Sequence, residues 1–211
     1  MRIFLDSGDY RQFVYQLGDM AEKFEIECWG YCVMPNHYHA ILRPTLPNLS
    51  LAVAELNGEY AKWWNRRHQR VGHTFQGRFK DQIVERDGYL VTLCRYVARN
   101  PVRGGLVDDP AKWPWSSYAA TIGPLPAPPF LTLGPVLANF GDGDIATLRA
   151  RFAAYVLGDP HEEALEDRIR SKERVLGHRA FKDAVRRQAG ASPAGTPEPL
   201  AEPGKAVGVA V

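Results

Sequence analysis

The sequence feature that most constrains this fold is a pair of strand-like runs joined by a Pro-Asn turn. Residues 25–33 alternate in polarity and are rich in aromatic and β-branched side chains, which is typical of a strand. Residues 34–36 turn the chain, and residues 37–43 return as the partner strand. Because side chains two positions apart point to the same face of a strand, His37 and His39 should project side by side. Two adjacent imidazoles can hold one metal ion, although an isolated His-x-His is more often an ordinary hairpin strand.

Apolar residues at helical spacing predict three helices around this hairpin. The first covers residues 9–24, and the second begins after a capping serine, Ser50. The third begins at Asp87 and continues to Asn100. Proline lacks a backbone N–H and restricts the residue before it, so Pro101 should end this helix.

The third helix brings chemically useful side chains together. Tyr96 and Asn100 are four residues apart, which makes them neighbours on one flank of the helix. Arg95 and Arg99 are expected to face outward, away from the apolar stripe. The residues alone leave two alternatives open: Tyr96 can be a half-buried packing residue, and Asn100 can simply end the helix.

A metal site follows if the strand and the helix meet. His37, His39 and the amide oxygen of Asn100 would form a nitrogen, nitrogen and oxygen ligand set, which suits Mg²⁺ or Mn²⁺ near a phosphate. Tyr96 lies one helical turn before Asn100 and would stand beside that phosphate as a nucleophile. A zinc site that adds Cys28 and Cys32 is excluded, because their α-carbons would be about 13 Å apart on one strand.

The composition adds a basic segment and buried thiols. The 211 residues allow one domain of about 150 residues with appendages, or two small domains. Residues 60–105 contain ten Lys or Arg residues and three acidic ones, a surplus that a phosphate backbone attracts. The odd cysteine count and the absence of a signal peptide or membrane-length apolar run indicate a cytoplasmic protein with reduced core cysteines.

Several segments together resemble a known family. Residues 35–39 (PNHYH) and 96–107 (YVARNPVRGGLV) resemble the HUH single-tyrosine transposases, and most closely the REP-associated tyrosine transposases of bacteria. Residues 75–79 (FQGRF), 113–118 (WPWSSY) and 175–177 (VLG) are similar to that branch. The resemblance covers residue 1 to about residue 185.

The resemblance implies an α+β fold. It predicts a ferredoxin-like or RRM-like antiparallel sheet with helices on one face, plus a helical C-terminal extension. The catalytic domain would cover residues 1–120, followed by a Pro-rich loop at 121–135, the extension at 136–190 and a disordered tail at 191–211. Family members begin with a strand upstream of the first helix, and this chain begins after that point, so a gap or an exposed edge in the sheet is expected.

The resemblance also implies a function: a transposase that acts as a metal-dependent endonuclease and strand transferase on single-stranded DNA at hairpins. By position, His37, His39 and Asn100 would hold Mg²⁺ or Mn²⁺, and Tyr96 would form a 5′-phosphotyrosine intermediate. Charge and placement predict that five arginines contact the DNA backbone: Arg43, Arg78, Arg95, Arg99 and Arg103.

The resemblance suggests a monomer and leaves a dimer open, with single-stranded or hairpin DNA as partner, no membrane and a place at the nucleoid. The competing hypothesis is a truncated or domesticated module that binds DNA hairpins without cutting them. The four proposed site residues favour the enzyme, and the short N-terminus favours the binding module.

Overall fold

A five-stranded sheet organises the described part of the chain. The computed structural model describes residues 2–76, 81–158, 174–191 and 206–210. The strands are β1 (Ile26–Met34), β2 (His37–Pro44), β3 (Asp81–Glu85), β4 (Val175–Leu176) and β5 (Ala206–Ala210). Their order across the sheet is β1-β2-β5-β3-β4, and every neighbouring pair is antiparallel except β3 with β4.

Seven helices accompany the sheet within these residues. They are α1 (Ser7–Lys23), α2 (Leu49–Arg67), α3 (Arg86–Arg103), α4 (Tyr118–Ile122), α5 (Gly134–Leu137), α6 (Ile145–Leu157) and α7 (Arg179–Ala191). Two short 3-10 turns cover Pro110–Lys112 and Ala138–Phe140. No helix in the described ranges has both the length and the apolar character needed to cross a bilayer.

The predicted hairpin of β1 and β2 is confirmed. Met34 pairs with His37 across the turn, and Cys32 pairs with His39. The carbonyl of Pro35 in the turn accepts hydrogen bonds from the backbone N–H groups of Ile3 (2.9 Å) and Phe4 (3.1 Å). The segment that precedes α1 therefore holds the turn from which the histidine strand departs.

The α+β class is confirmed, but the prediction that helices cover only one face of the sheet is wrong. Tyr38, Ala40 and Leu42 of β2 pack into a core with α1 and α2. Ile41 points to the opposite face and packs in a second core with Leu90 and other residues of α3, together with α6. The reason lies in the strands: β1 and β2 are buried at nearly every position, so each face needs a covering layer.

The expected gap in the sheet is not present, and the predicted tail is partly wrong. Ala206–Ala210 forms β5 between β2 and β3 and makes the sheet continuous. Residue 191 closes α7 rather than beginning a tail, while residues 192–205 and 211 lie outside the described residues. The predicted extension also joins the main fold, because β4 pairs with β3. Low-complexity composition gave no sign of these pairings, which connect residues far apart in the chain.

A buried carboxylate holds α1 against the end of α2. Asp9 has no exposed surface and accepts a hydrogen bond from the backbone N–H of Leu5 (2.8 Å). It also pairs with the Arg67 guanidinium and with Nε2 of His68 (2.9 Å). A buried charge is tolerated when it is paired in this way. The cluster fixes the segment that binds the β1–β2 turn.

Replacing Asp9 should therefore weaken the whole fold. Asp9→Asn removes the charge that balances Arg67, and we expect the free energy of unfolding in urea to fall by about 2–3 kcal/mol. The matched control is Asp6→Asn. Asp6 is exposed and caps α1 through the N–H of Gly8 (2.7 Å), a role that asparagine also performs. It also forms an exposed ion pair with Arg67 (2.9 Å), and because solvent screens such a pair, this variant should lose much less stability than Asp9→Asn. Equal losses in the two variants would contradict the proposed role of burial.

Candidate functional site

The helix α3 carries the candidate nucleophile beneath the sheet and is longer than predicted. The prediction that it ends at Asn100 is wrong, because α3 includes Pro101 and continues to Arg103. A proline in the last turn removes one donor, and the turn is closed by the N–H of Gly104, which donates to the Asn100 carbonyl (2.8 Å). Because the helix continues, Arg103 lies two turns after Tyr96 on the same side of α3.

The two histidines of β2 lie side by side, as the strand spacing predicts. Their ring centroids are 5.0 Å apart and the rings are nearly perpendicular. His37 is half-buried, and its Nδ1 lies 2.8 Å from the side-chain oxygen of Asn36. His39 is only 3% exposed, and neither of its ring nitrogens has a hydrogen-bond partner in the described part of the chain.

Burial keeps both imidazoles uncharged. The pKa of His39 is lowered to about 3, chiefly by removal from water and also by the neighbouring His37, whereas the nearby Asn100 side chain acts in the opposite direction. Burial also lowers the pKa of His37. Both rings are therefore neutral at pH 7, and the neutral imidazole is the form that binds metal ions.

Tyr96 and Asn100 meet the histidine strand. The Tyr96 ring packs edge-on against His39, with centroids 5.6 Å apart. The side-chain amide of Asn100 donates to the Tyr96 carbonyl (2.9 Å), which uses its nitrogen and leaves its oxygen outside this bond. The fold thus brings together four residues from two distant segments of the chain, the same four that the sequence indicated: His37, His39, Tyr96 and Asn100.

Arg103 also belongs to this cluster. Its guanidinium carbon lies 5.0 Å from the centroid of the Tyr96 ring, in a cation–π contact. The sequence indicated Arg103 only through its positive charge. Its place against Tyr96 depends on the helix continuing through Pro101, which the usual rule for proline argues against.

The residues present fit a divalent cation. The two neutral imidazoles lie side by side, and the Asn100 side chain lies near His39. The ring nitrogens of His39 are buried and have no hydrogen-bond partner among the described residues, which is costly unless something binds them. Among the described residues no group of three His, Cys, Asp or Glu side chains could hold an ion, so a third protein ligand at this place would have to be another oxygen donor, such as an amide. This donor set leaves positions open for a phosphate oxygen.

The cysteines take no part in the site. All three are free and buried, which agrees with the expectation of reduced core residues. Burial raises the pKa of Cys28 and of Cys94 to about 12, and it raises the pKa of Cys32 as well. Protonated thiols are poor metal ligands.

The predicted DNA-contacting arginines occupy very different places. Arg95 is 3% exposed, so the prediction that it faces outward is wrong; it donates to the Gly158 carbonyl after α6 (2.5 Å). Arg99 is half-buried and donates to the carbonyls of Val156 (3.2 Å) and Gly158 (3.3 Å). Cations suit the carboxyl end of a helix, where the last carbonyls lack partners.

Two other predicted contacts lie elsewhere. Arg43 is half-buried and forms an ion pair with Glu27 on β1 (2.9 Å). Glu27 also accepts a hydrogen bond from the indole N–H of Trp29 (2.8 Å), so it serves both neighbours. Arg78 lies outside the described residues.

Comparison with known proteins supports the resemblance. Residues 3–100 match the family described as "Transposase IS200 like", and this segment contains all four candidate residues on β2 and α3. A Haemophilus influenzae protein described as a REP-associated tyrosine transposase is 26% identical over 111 residues, which cover 46% of this chain and 62% of that protein. The chain thus spans about three-fifths of the length of this curated relative. No solved structure matches the present chain.

Arg95 should be more important for stability than its predicted role implies. Arg95→Met keeps an aliphatic side chain but removes the donor to the end of α6. We expect the free energy of unfolding, measured in urea, to fall by about 1.5–3 kcal/mol. Arg99→Met is the matched variant and should cost less, because Arg99 is less buried and its bonds are longer. A larger effect at Arg99 than at Arg95 would refute this assignment.

Proposed function

We propose that this chain, whose residues 3–100 match the IS200-like transposases, is a transposase that cuts and rejoins single-stranded DNA beside a hairpin. The observation that carries the proposal is the edge-on contact between Tyr96 and His39, which joins a nucleophile on α3 to a pair of neutral histidines on β2. The matched family and the relative of similar sequence support the same reaction class.

In this proposal Tyr96 attacks a phosphodiester. A lone pair of the phenolic oxygen forms the new bond to phosphorus while the bond from phosphorus to the 3′ oxygen breaks. The leaving oxygen keeps that electron pair and takes up a proton, and the phenol loses its proton to solvent. The products are a 5′-phosphotyrosine and a free 3′-hydroxyl, so the energy of the ester bond is retained for rejoining.

His37, His39 and Asn100 would hold a divalent cation, Mg²⁺ or Mn²⁺. When bound, such a cation polarises the phosphodiester and neutralises the charge that develops on it. Burial of His39 keeps its ring neutral and restricts its movement. The hydrogen bond from the Asn100 side chain to the Tyr96 carbonyl holds the amide against α3. Ligand and nucleophile are thereby one turn apart on one rigid element.

Arg103 would contact the phosphate backbone at the site of cleavage. Its guanidinium already lies against Tyr96, where the DNA phosphate must approach for attack. Arg43 could assist from the other end of β2 only by giving up its ion pair with Glu27. Arg99 retains a partly exposed side chain, whereas Arg95 is occupied inside the fold.

A covalent adduct is the direct test. We would incubate the protein with Mn²⁺ and a pool of single-stranded oligonucleotides, each with a stem-loop of random sequence and random flanks. A label on the 3′ end should move to the protein and resist denaturant, because Tyr96 keeps the 5′ phosphate of the downstream piece. A label on the 5′ end should appear only on a shorter, released strand that a polymerase can extend.

The variants make this test specific. Tyr96→Phe should abolish the adduct and retain hairpin binding, since only one oxygen atom is lost. Tyr89→Phe on the same helix is the matched control and should form the adduct at the wild-type level. If a folded wild-type protein binds hairpins from the pool but forms no adduct, the hairpin-binding module without cleavage is the correct function.

Metal binding can be tested without DNA. We expect Mn²⁺, followed by its electron paramagnetic resonance signal, to bind the wild type at one site and the His39→Ala variant more than about tenfold more weakly. His37→Ala should behave likewise. His73→Ala, which removes an exposed histidine away from the cluster, should bind as the wild type does. Equal Mn²⁺ affinity in all four proteins would contradict the proposed ligands.

A further inference from the structure

The last described strand connects the two halves of the candidate site. β5 pairs with β2 on one side, where Ala210 is opposite Ala40. It pairs with β3 on the other side, from Ala206 opposite Glu85 to Ala210 opposite Asp81. Both edges of β5 are therefore occupied, and within the described part of the sheet β5 separates β2 from β3.

This position matters because the two neighbours of β5 carry different halves of the site. β2 carries His37 and His39, and the register places the end of β5 one residue past His39. β3 leads directly into α3, which carries Tyr96. Neighbouring strands lie about 4.8 Å apart, so β5 holds β2 and β3 roughly 10 Å from each other. A change at β5 would alter the separation of the strand and the helix.

Other contacts of α3 do not need β5. Leu93 and Val97 of α3 pack in one core with Trp29 and Cys32 of β1. The hairpin of β1 and β2 pairs directly, and α1 and α2 cover its opposite face. Loss of β5 would thus remove the strand that fixes β3, and with it the start of α3, relative to β2, while leaving the hairpin and its helices assembled.

The sequence of β5 also favours a strand that docks late. Its five residues are Ala, Val and Gly only, with no charge, and glycine weakens a strand. Its partners on β2 are about 170 positions away in the chain. Contacts between such distant segments form after local ones during folding.

We propose that the space between β2 and β3 is a binding site for an extended, uncharged peptide strand, and that this chain fills it with its own Ala206–Ala210. Main-chain hydrogen bonds to both neighbours supply the affinity, as when a strand is added to a sheet. Filling the site sets the separation of His39 and Tyr96. That last consequence rests on the proposed function, whereas strand binding itself does not.

Amide hydrogen exchange in the full chain tests the strand site. Val209→Pro removes one backbone donor from β5, at the position before its last residue, and proline is not tolerated inside a central strand. We expect the amides of β3 and those of Ala40–Leu42 that face β5 to exchange at least about tenfold faster, with α1 and α2 unchanged. Val209→Thr keeps the donor and the branched side chain and should exchange as the wild type does.

Addition of a peptide tests whether the site accepts a strand. A synthetic peptide of sequence Ala-Val-Gly-Val-Ala should restore slow exchange in the Val209→Pro variant, and Ala-Val-Gly-Pro-Ala should not. Unchanged exchange in Val209→Pro, equally fast exchange throughout the protein, or failure of the first peptide would each overturn the proposal. Protection that falls when the wild type is diluted would identify a second copy as the source of the strand and would overturn it too.

The adduct assay separates this proposal from the function. If the wild type forms the adduct, Val209→Pro should lose it and the restoring peptide should recover it. If Val209→Pro forms the adduct at the wild-type level despite fast exchange, β5 does not set the geometry of the site. If the wild type forms no adduct, the proposed function fails, and the exchange experiment still decides the strand site.

Discussion

Burial of both faces of the β1–β2 hairpin is the constraint on which the rest of the structure depends. A two-stranded hairpin with apolar residues on both faces is not stable while those faces are exposed to water, so helices must cover each face. On one side α1 and α2 form a core with Tyr38, Ala40 and Leu42. On the other side α3 packs against Ile41, and this second layer brings Tyr96 to His39. The site is a consequence of closing the second face.

The same burial determines the chemistry that the site can perform. A histidine on an exposed strand would be partly protonated near neutral pH, and a cation would then compete with the proton. Removal from water is the main reason why the pKa of His39 is lowered to about 3, so at neutral pH a proton would not compete with a cation for this ring. The cost is a pair of ring nitrogens without hydrogen-bond partners in the described residues. Stability is lost locally at a position where a ligand would restore it, which is common at functional sites.

Local sequence signals predicted the local parts of this structure. The alternation of polar and apolar residues predicted the hairpin and the shared direction of His37 and His39. The four-residue spacing predicted that Tyr96 and Asn100 are neighbours on one helix. The signals failed where distant segments decide the outcome. The outward direction predicted for Arg95 ignored α6, whose terminal carbonyls draw the guanidinium inside. No periodicity in five small residues could reveal that β5 completes the centre of a sheet.

The basic segment shows why a count of charges does not locate a nucleic-acid surface. Lys62 pairs with Glu59, and Arg67 pairs with Asp6 and Asp9, so these cations hold helices in place. Arg95 and Arg99 bind the end of α6 for the same reason. Arg103 differs from them because its guanidinium lies on the ring of the candidate nucleophile. A cation placed by the fold against reacting atoms carries more functional information than the net charge of the segment, since charge attracts phosphate over long distances but only position selects the bond.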